Sequence, residues 1–161
     1  MTACRCAVRT FTATTAGEPC LCRYQHARLR RPSRLVLPRA RARAALARLE
    51  QEGAELWISR QVLREYLAAV TRPSPNGTPP MTREEAATAV EGFMSAYNLA
   101  EDGSDTLGML LVLIRRVPMG GKQVHDANLV ATMLTNRITR LLTFNVADFR
   151  RFATDIELVT P

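Results

Sequence analysis

The stretch Gly121–Phe152, GKQVHDANLVATMLTNRITRLLTFNVADFRRF, constrains the fold more than any other part of the chain. From Asp126 the apolar side chains Leu129, Val130, Met133 and Leu134 recur at helical spacing. Asn136 closes that helix, and Arg140–Phe144 (RLLTF) is too short and too apolar to be anything but a covered strand. Asp126 is therefore expected at a helix N-terminus, with Asn145 and Asp148 just past a strand's C-terminal end. In an open α/β sheet that edge is where ligands bind. Carboxylates gathered there require a cation, because like charges at close range disfavour one another's ionised forms.

An earlier segment has the same strand-then-helix character. Glu55–Ile58 (ELWI) reads as a short strand, and Ser59 is placed to cap a helix that runs to Val70. Val62, Leu63, Tyr66, Leu67 and Val70 form its apolar stripe, with Glu65 near the border. Taken alone, Glu65 reads as a solvated helix glutamate.

HDANLVATML followed by LLTFNVADF resembles the C-terminal half of a PIN domain, most like the VapC toxins of bacterial toxin–antitoxin pairs. LWISRQVLREYLAAVTRP (Leu56–Pro73) is similar to the family's second motif, with Glu65 at the position of its glutamate. The resemblance runs from about Arg41 to Pro161. It implies a three-layer α/β/α fold with a short parallel sheet and a Mg²⁺-dependent endoribonuclease, Mn²⁺ being the alternative ion. It also implies an RNA substrate, a cognate antitoxin and a homodimer formed partly by the helices after Thr82. Glu65, Asp126 and Asp148 are then the catalytic acids. Glu65 and Asp126 hold the metal, Asp148 holds a second metal or orients the attacking water, and Asn145 adds a neutral oxygen ligand. Mg²⁺ suits such a set, since one or two carboxylates and substrate phosphates commonly hold it.

The chain departs from the family at its start. A PIN domain opens with a hydrophobic strand ending in Asp-Thr-Asn or similar, and here the only acid before Glu50 is Glu18. The first, central strand is thus expected to be absent or replaced. Ala7–Thr14 and Arg34–Leu37 are the extended candidates, with Arg34–Leu37 as a makeshift strand. Residues 1–38 form an Arg- and Cys-rich leader, expected to be disordered or a wrong-frame reading of a GC-rich gene, ahead of a PIN-like domain over 39–161. A basic arm that orders on RNA is the competing account.

The formal net charge of +7 belongs to this leader. Met1–Arg43 holds ten arginines against one glutamate, and the remainder is slightly acidic. All four cysteines lie here too, as Cys4-x-Cys6 and Cys20-x-Cys22 with His26 nearby. The residue types suit zinc, but the spacing is not the usual one, and incidental cysteines are the plainer reading. Nothing points to export, which argues against disulfides.

Arg72–Pro80 is a turn-rich loop, after which Thr82 and Glu85 have capping-box spacing. The helix they open and the next, from about Asp105 to Arg116, read as packing elements. The longest apolar run, Leu107–Ile114, is far short of a membrane span, so a cytoplasmic protein with no membrane contact is expected. Arg60, Arg64, Arg72, Lys122, Arg150 and Arg151 are candidates for phosphate contacts, and Thr143 for a carboxylate or phosphate. Three functions stay open: an active nuclease, a PIN remnant impaired by loss of its first aspartate, and a non-enzymatic RNA-binding protein using the leader.

Overall fold

The computed structural model describes residues 20–22, 36–73, 77 and 80–161. The candidate strand at Ala7–Thr14, the Cys4-x-Cys6 pair, His26 and most of the leader lie outside the described residues. Five parallel strands form the sheet: β1 (Cys20–Cys22), β2 (Leu56–Ser59), β3 (Asn98–Ala100), β4 (Arg140–Leu142) and β5 (Glu157–Val159). Their order is β3-β2-β1-β4-β5. Cys20 stands opposite both Leu56 and Arg140.

The middle strand is therefore present, but it is Cys-Leu-Cys rather than the expected makeshift strand at Arg34–Leu37. Val36 and Leu37 instead begin helix α1 (Val36–Gln51). Pro38 falls in its first turn, where a missing N–H costs nothing because those donors have no helical partner. The central strand of the resembled fold is replaced by three residues of the leader.

The remaining helices are α2 (Arg60–Val70), α3 (Arg83–Ala96), α4 (Ser104–Arg116), α5 (Gln123–Thr135) and α6 (Val146–Phe149). One turn of 3-10 helix, Arg150–Phe152, follows α6. The larger core joins Val62 and Leu63 of α2, Leu110 and Leu113 of α4, and Leu129, Val130 and Met133 of α5 to Leu141, Phe149 and Phe152. A smaller one sets Ala45 and Leu49 of α1 against Cys20, Leu56, Leu142 and Val159. Helices on both faces of a parallel sheet give the three layers expected from the sequence.

Burial sets the chemistry of Cys20. Desolvation is the main cause that pushes its thiol up to about 11, against the opposing pull of Arg140. At neutral pH it is a protonated, small apolar side chain that fills the space under α1. Among the described residues no helix is long and apolar enough to cross a membrane.

Local signals for the helices are realised in detail. The Ser59 hydroxyl accepts from the Val62 N–H at 3.2 Å. The Thr82 hydroxyl accepts from the Glu85 N–H at 3.2 Å, and the Glu85 carboxylate accepts from the Thr82 N–H at 2.8 Å. The Thr82 backbone bond is the main reason the Glu85 carboxyl lies below its ordinary range. That contribution is present above the unfolded glutamate range and is lost as the pH falls through the lower folded value. Thr82→Ala is expected to cost about 1 kcal/mol, read as a lower thermal midpoint. A midpoint equal to that of the unaltered chain means that the cap contributes nothing.

Candidate active site

Connectivity decides which ends of the helices meet. α2 leaves the C-terminal end of β2 directly, so its first turn lies at that edge of the sheet. α5 is followed within a few residues by β4, so α5 ends at the opposite edge and its N-terminal turn sits near that of α2. The turn after β4 carries Asn145 and Asp148 to the same edge. All four residues singled out in the sequence therefore belong to elements that begin there, the ligand-binding edge of open α/β sheets.

The contact between α2 and α5 runs through Gln61. Its side chain is 8% exposed, although it is a neutral polar group beside Val62 and Leu63. Its Nε2 donates to Glu65 Oε1 at 2.9 Å and to the His125 carbonyl at 2.9 Å. Its Oε1 accepts from Asn128 Nδ2 at 3.1 Å. Gln61, Arg64, Glu65, His125 and Asn128 line an open cleft of about 360 Å³. Glu65 is thus an exposed residue on the wall of a cleft.

Asp126 lies in the first turn of α5, 9% exposed. The helix opens at Gln123, three residues before the acid that the sequence suggested as its start. A carboxylate in a first turn is favoured by the partial positive charge of the helix N-terminus. At the end of β4, Thr143 is wholly buried, and its hydroxyl accepts from the Asn145 N–H at 3.1 Å. This bond shapes the turn. Asn145 Nδ2 donates to Asp148 Oδ2, which ties these two predicted ligands to each other. Arg60, a candidate phosphate contact, is instead paired with Glu101 by bonds of 2.5 and 2.8 Å. The Arg60 guanidinium holds the Glu101 carboxyl below its ordinary range.

Among the described residues, no three His, Cys, Asp or Glu side chains gather closely enough to hold a metal ion. Glu65, Asp126 and Asp148 therefore do not form such a group of three. The donor set is nevertheless of the right kind for Mg²⁺. All the candidate ligands are oxygen donors, and that ion is commonly held by only one or two carboxylates plus substrate phosphates. Glu65 on the cleft and Asp126 beside His125 meet that smaller requirement in kind.

Gln61 and Asn128 are the residues that sequence reading passed over. The available signal was weak: an uncharged polar residue four before Glu65 falls beside the apolar stripe.

No family model matches the chain, and no curated protein matches it. Solved structures similar in fold include the following two. VapBC-1 from nontypeable Haemophilus influenzae has a TM-score of 0.59 and 17% identity, covering 89% of this chain and 98% of that one. VapBC2 from Rickettsia felis, solved bound to a DNA fragment from its promoter, has a TM-score of 0.55 and 16% identity. That match covers 74% of this chain and 84% of the other. At these identities the likeness is one of fold, and the fold is that of a VapC-like PIN domain.

Proposed function

We propose, from a VapC-like PIN fold with acids at the C-terminal edge of its sheet, that this chain is a metal-dependent endoribonuclease and the toxin of a toxin–antitoxin pair. One observation carries the reading. A single buried nitrogen, Gln61 Nε2, binds both the Glu65 carboxylate and the carbonyl one residue before Asp126. Glu65 and the peptide that leads into Asp126, from separate segments, are thereby tied to one side chain.

In this reading Glu65 and Asp126 hold Mg²⁺ or Mn²⁺, Asp148 orients the attacking water or takes a second ion, and Asn145 offers its amide oxygen. A bound divalent ion supplies a more acidic water and stabilises charge on the phosphoryl oxygens. Arg64, on the cleft wall, is the phosphate contact best placed to steer an RNA backbone. A protein partner is supported by α4, which exposes Leu107, Leu111, Val112 and Ile114. Such a surface suits an antitoxin or a second copy of the chain. A cytoplasmic location goes with that role.

The test is RNA cleavage with and without Mg²⁺. Asp126→Asn and Glu65→Gln are each expected to lower it by at least about a hundredfold, beyond what loss of a supporting partner costs. Cleavage that survives chelation, or that is unchanged in both variants, rules the reading out.

A second reading, a catalytically impaired PIN remnant, is favoured by the end of β1. The residues that follow Cys22 are Arg23, Tyr24, Gln25 and His26, none of them acidic. No three-acid cluster forms among the described residues. An inert chain that gains cleavage on Arg23→Asp substitution identifies this second reading.

A further inference from the structure

We infer that Gln61 is a positioning residue for the acidic site, holding Glu65 at a fixed distance from the turn that carries Asp126. The inference rests on the nuclease reading for its purpose, but not for its geometry. A primary amide offers two N–H donors and one acceptor oxygen. At Gln61 both donors are used, on Glu65 Oε1 and on the His125 carbonyl, and the oxygen accepts from Asn128.

The partners also fix which way the amide faces. Turned over, its oxygen would meet a carboxylate and a carbonyl, and its NH₂ would meet the Asn128 donor. Each contact would then be repulsive.

The bond to His125 is the informative one. Its carbonyl belongs to the peptide that leads into Asp126, so the backbone of one acid and the side chain of the other share one nitrogen. Few other side chains fit this place. Asparagine is a methylene too short to reach both acceptors, and glutamate sets a third acid against Glu65. Methionine keeps the length and volume while losing all three bonds. A glutamine this buried would be poor packing if packing were its only task, since a buried amide must find partners.

The test compares Gln61→Met, Glu65→Gln and the double variant in the full chain, with Mn²⁺ as the probe ion. Affinity is read from the free-ion electron paramagnetic resonance signal. Gln61→Met is expected to weaken Mn²⁺ binding by about tenfold, the low end for loss of an outer-shell partner. In the Glu65→Gln background the same change is expected to do almost nothing.

The second readout needs no metal. The Gln61 side-chain NH₂ resonances are expected to be protected from solvent exchange and to shift in Glu65→Gln. Gln61→Met that binds Mn²⁺ like the unaltered chain and only melts earlier overturns the inference and leaves Gln61 a packing residue. Should the unaltered chain bind no Mn²⁺, the nuclease reading fails by itself. The amide then decides the inference: resonances that shift in Glu65→Gln support it, and resonances that do not move overturn it.

Discussion

Leu21→Pro is expected to abolish the cooperative thermal transition and to leave the protein insoluble or unfolded. Leu21 is the middle residue of β1, opposite Trp57 on one side and Leu141 on the other. With a strand on each side, every N–H of β1 has a neighbour to donate to, as Cys20 does to the Glu55 carbonyl at 2.9 Å. Proline has no N–H and is confined to sheet edges, strand starts and bulges. Loss of β1 would part the β3-β2 pair from the β4-β5 pair and open a bare edge on each. Against a total stability of about 5–15 kcal/mol, no such chain holds its sheet. Circular dichroism on heating and size-exclusion chromatography read the outcome. A sharp transition close to that of the unaltered chain would falsify the placing of Cys20–Cys22 at the centre.

Phe149→Ala is expected to cost about 3–5 kcal/mol, the usual range for emptying an aromatic site in a core. In a chain of this size that corresponds to a fall of roughly 6–20 °C in Tm. Phe149 is wholly buried, and its ring is the anchor of α6, only four residues long. So short a helix has no stability of its own and depends on what it buries. Loosening it also loosens Asn145 and Asp148, so any cleavage should fall more than the stability loss alone predicts. Phe144→Ala is the control, because that ring is 37% exposed. Its cost should be clearly smaller, since less apolar surface is withdrawn from water there. Equal losses for the two phenylalanines mean that Phe149 is not the anchor.

How much of this was legible depended on whether a residue's role is local. Ser59, Thr82 and Glu85 act within one turn of themselves, and each takes part in a helix cap as its neighbours in the sequence suggest. The covered strand at Arg140–Leu142 was legible because an apolar run bounded by polar turns has few other fates. β1 was not, since three residues carry no period and Cys-Leu-Cys gains strand character only from partners far along the chain. β3 was missed for the same reason: Asn98–Ala100 follows α3 after a single residue and pairs only with β2.

α1 starts at Val36 with Pro38 in its first turn, a position that tolerates a residue without an N–H. In the candidate site the placing of Glu65, Asp126, Asn145 and Asp148 on their elements could be read from spacing. The bond between Asn145 and Asp148, the Arg60–Glu101 pair and the Gln61 clamp could not, because side-chain partners across a fold leave no local pattern.

The order of the strands has a consequence for how the protein is made. The ribosome releases β1 before the other four strands, and releases β4 and β5 after the other three. A half-translated polypeptide can pair β1 with β2 and β3, but its remaining flank stays bare until the last segment emerges. Contacts between distant parts of a sequence form slowly. Whatever chemistry the finished edge performs therefore begins only once β4 and β5 have joined it, and a product cut short before them has none of it.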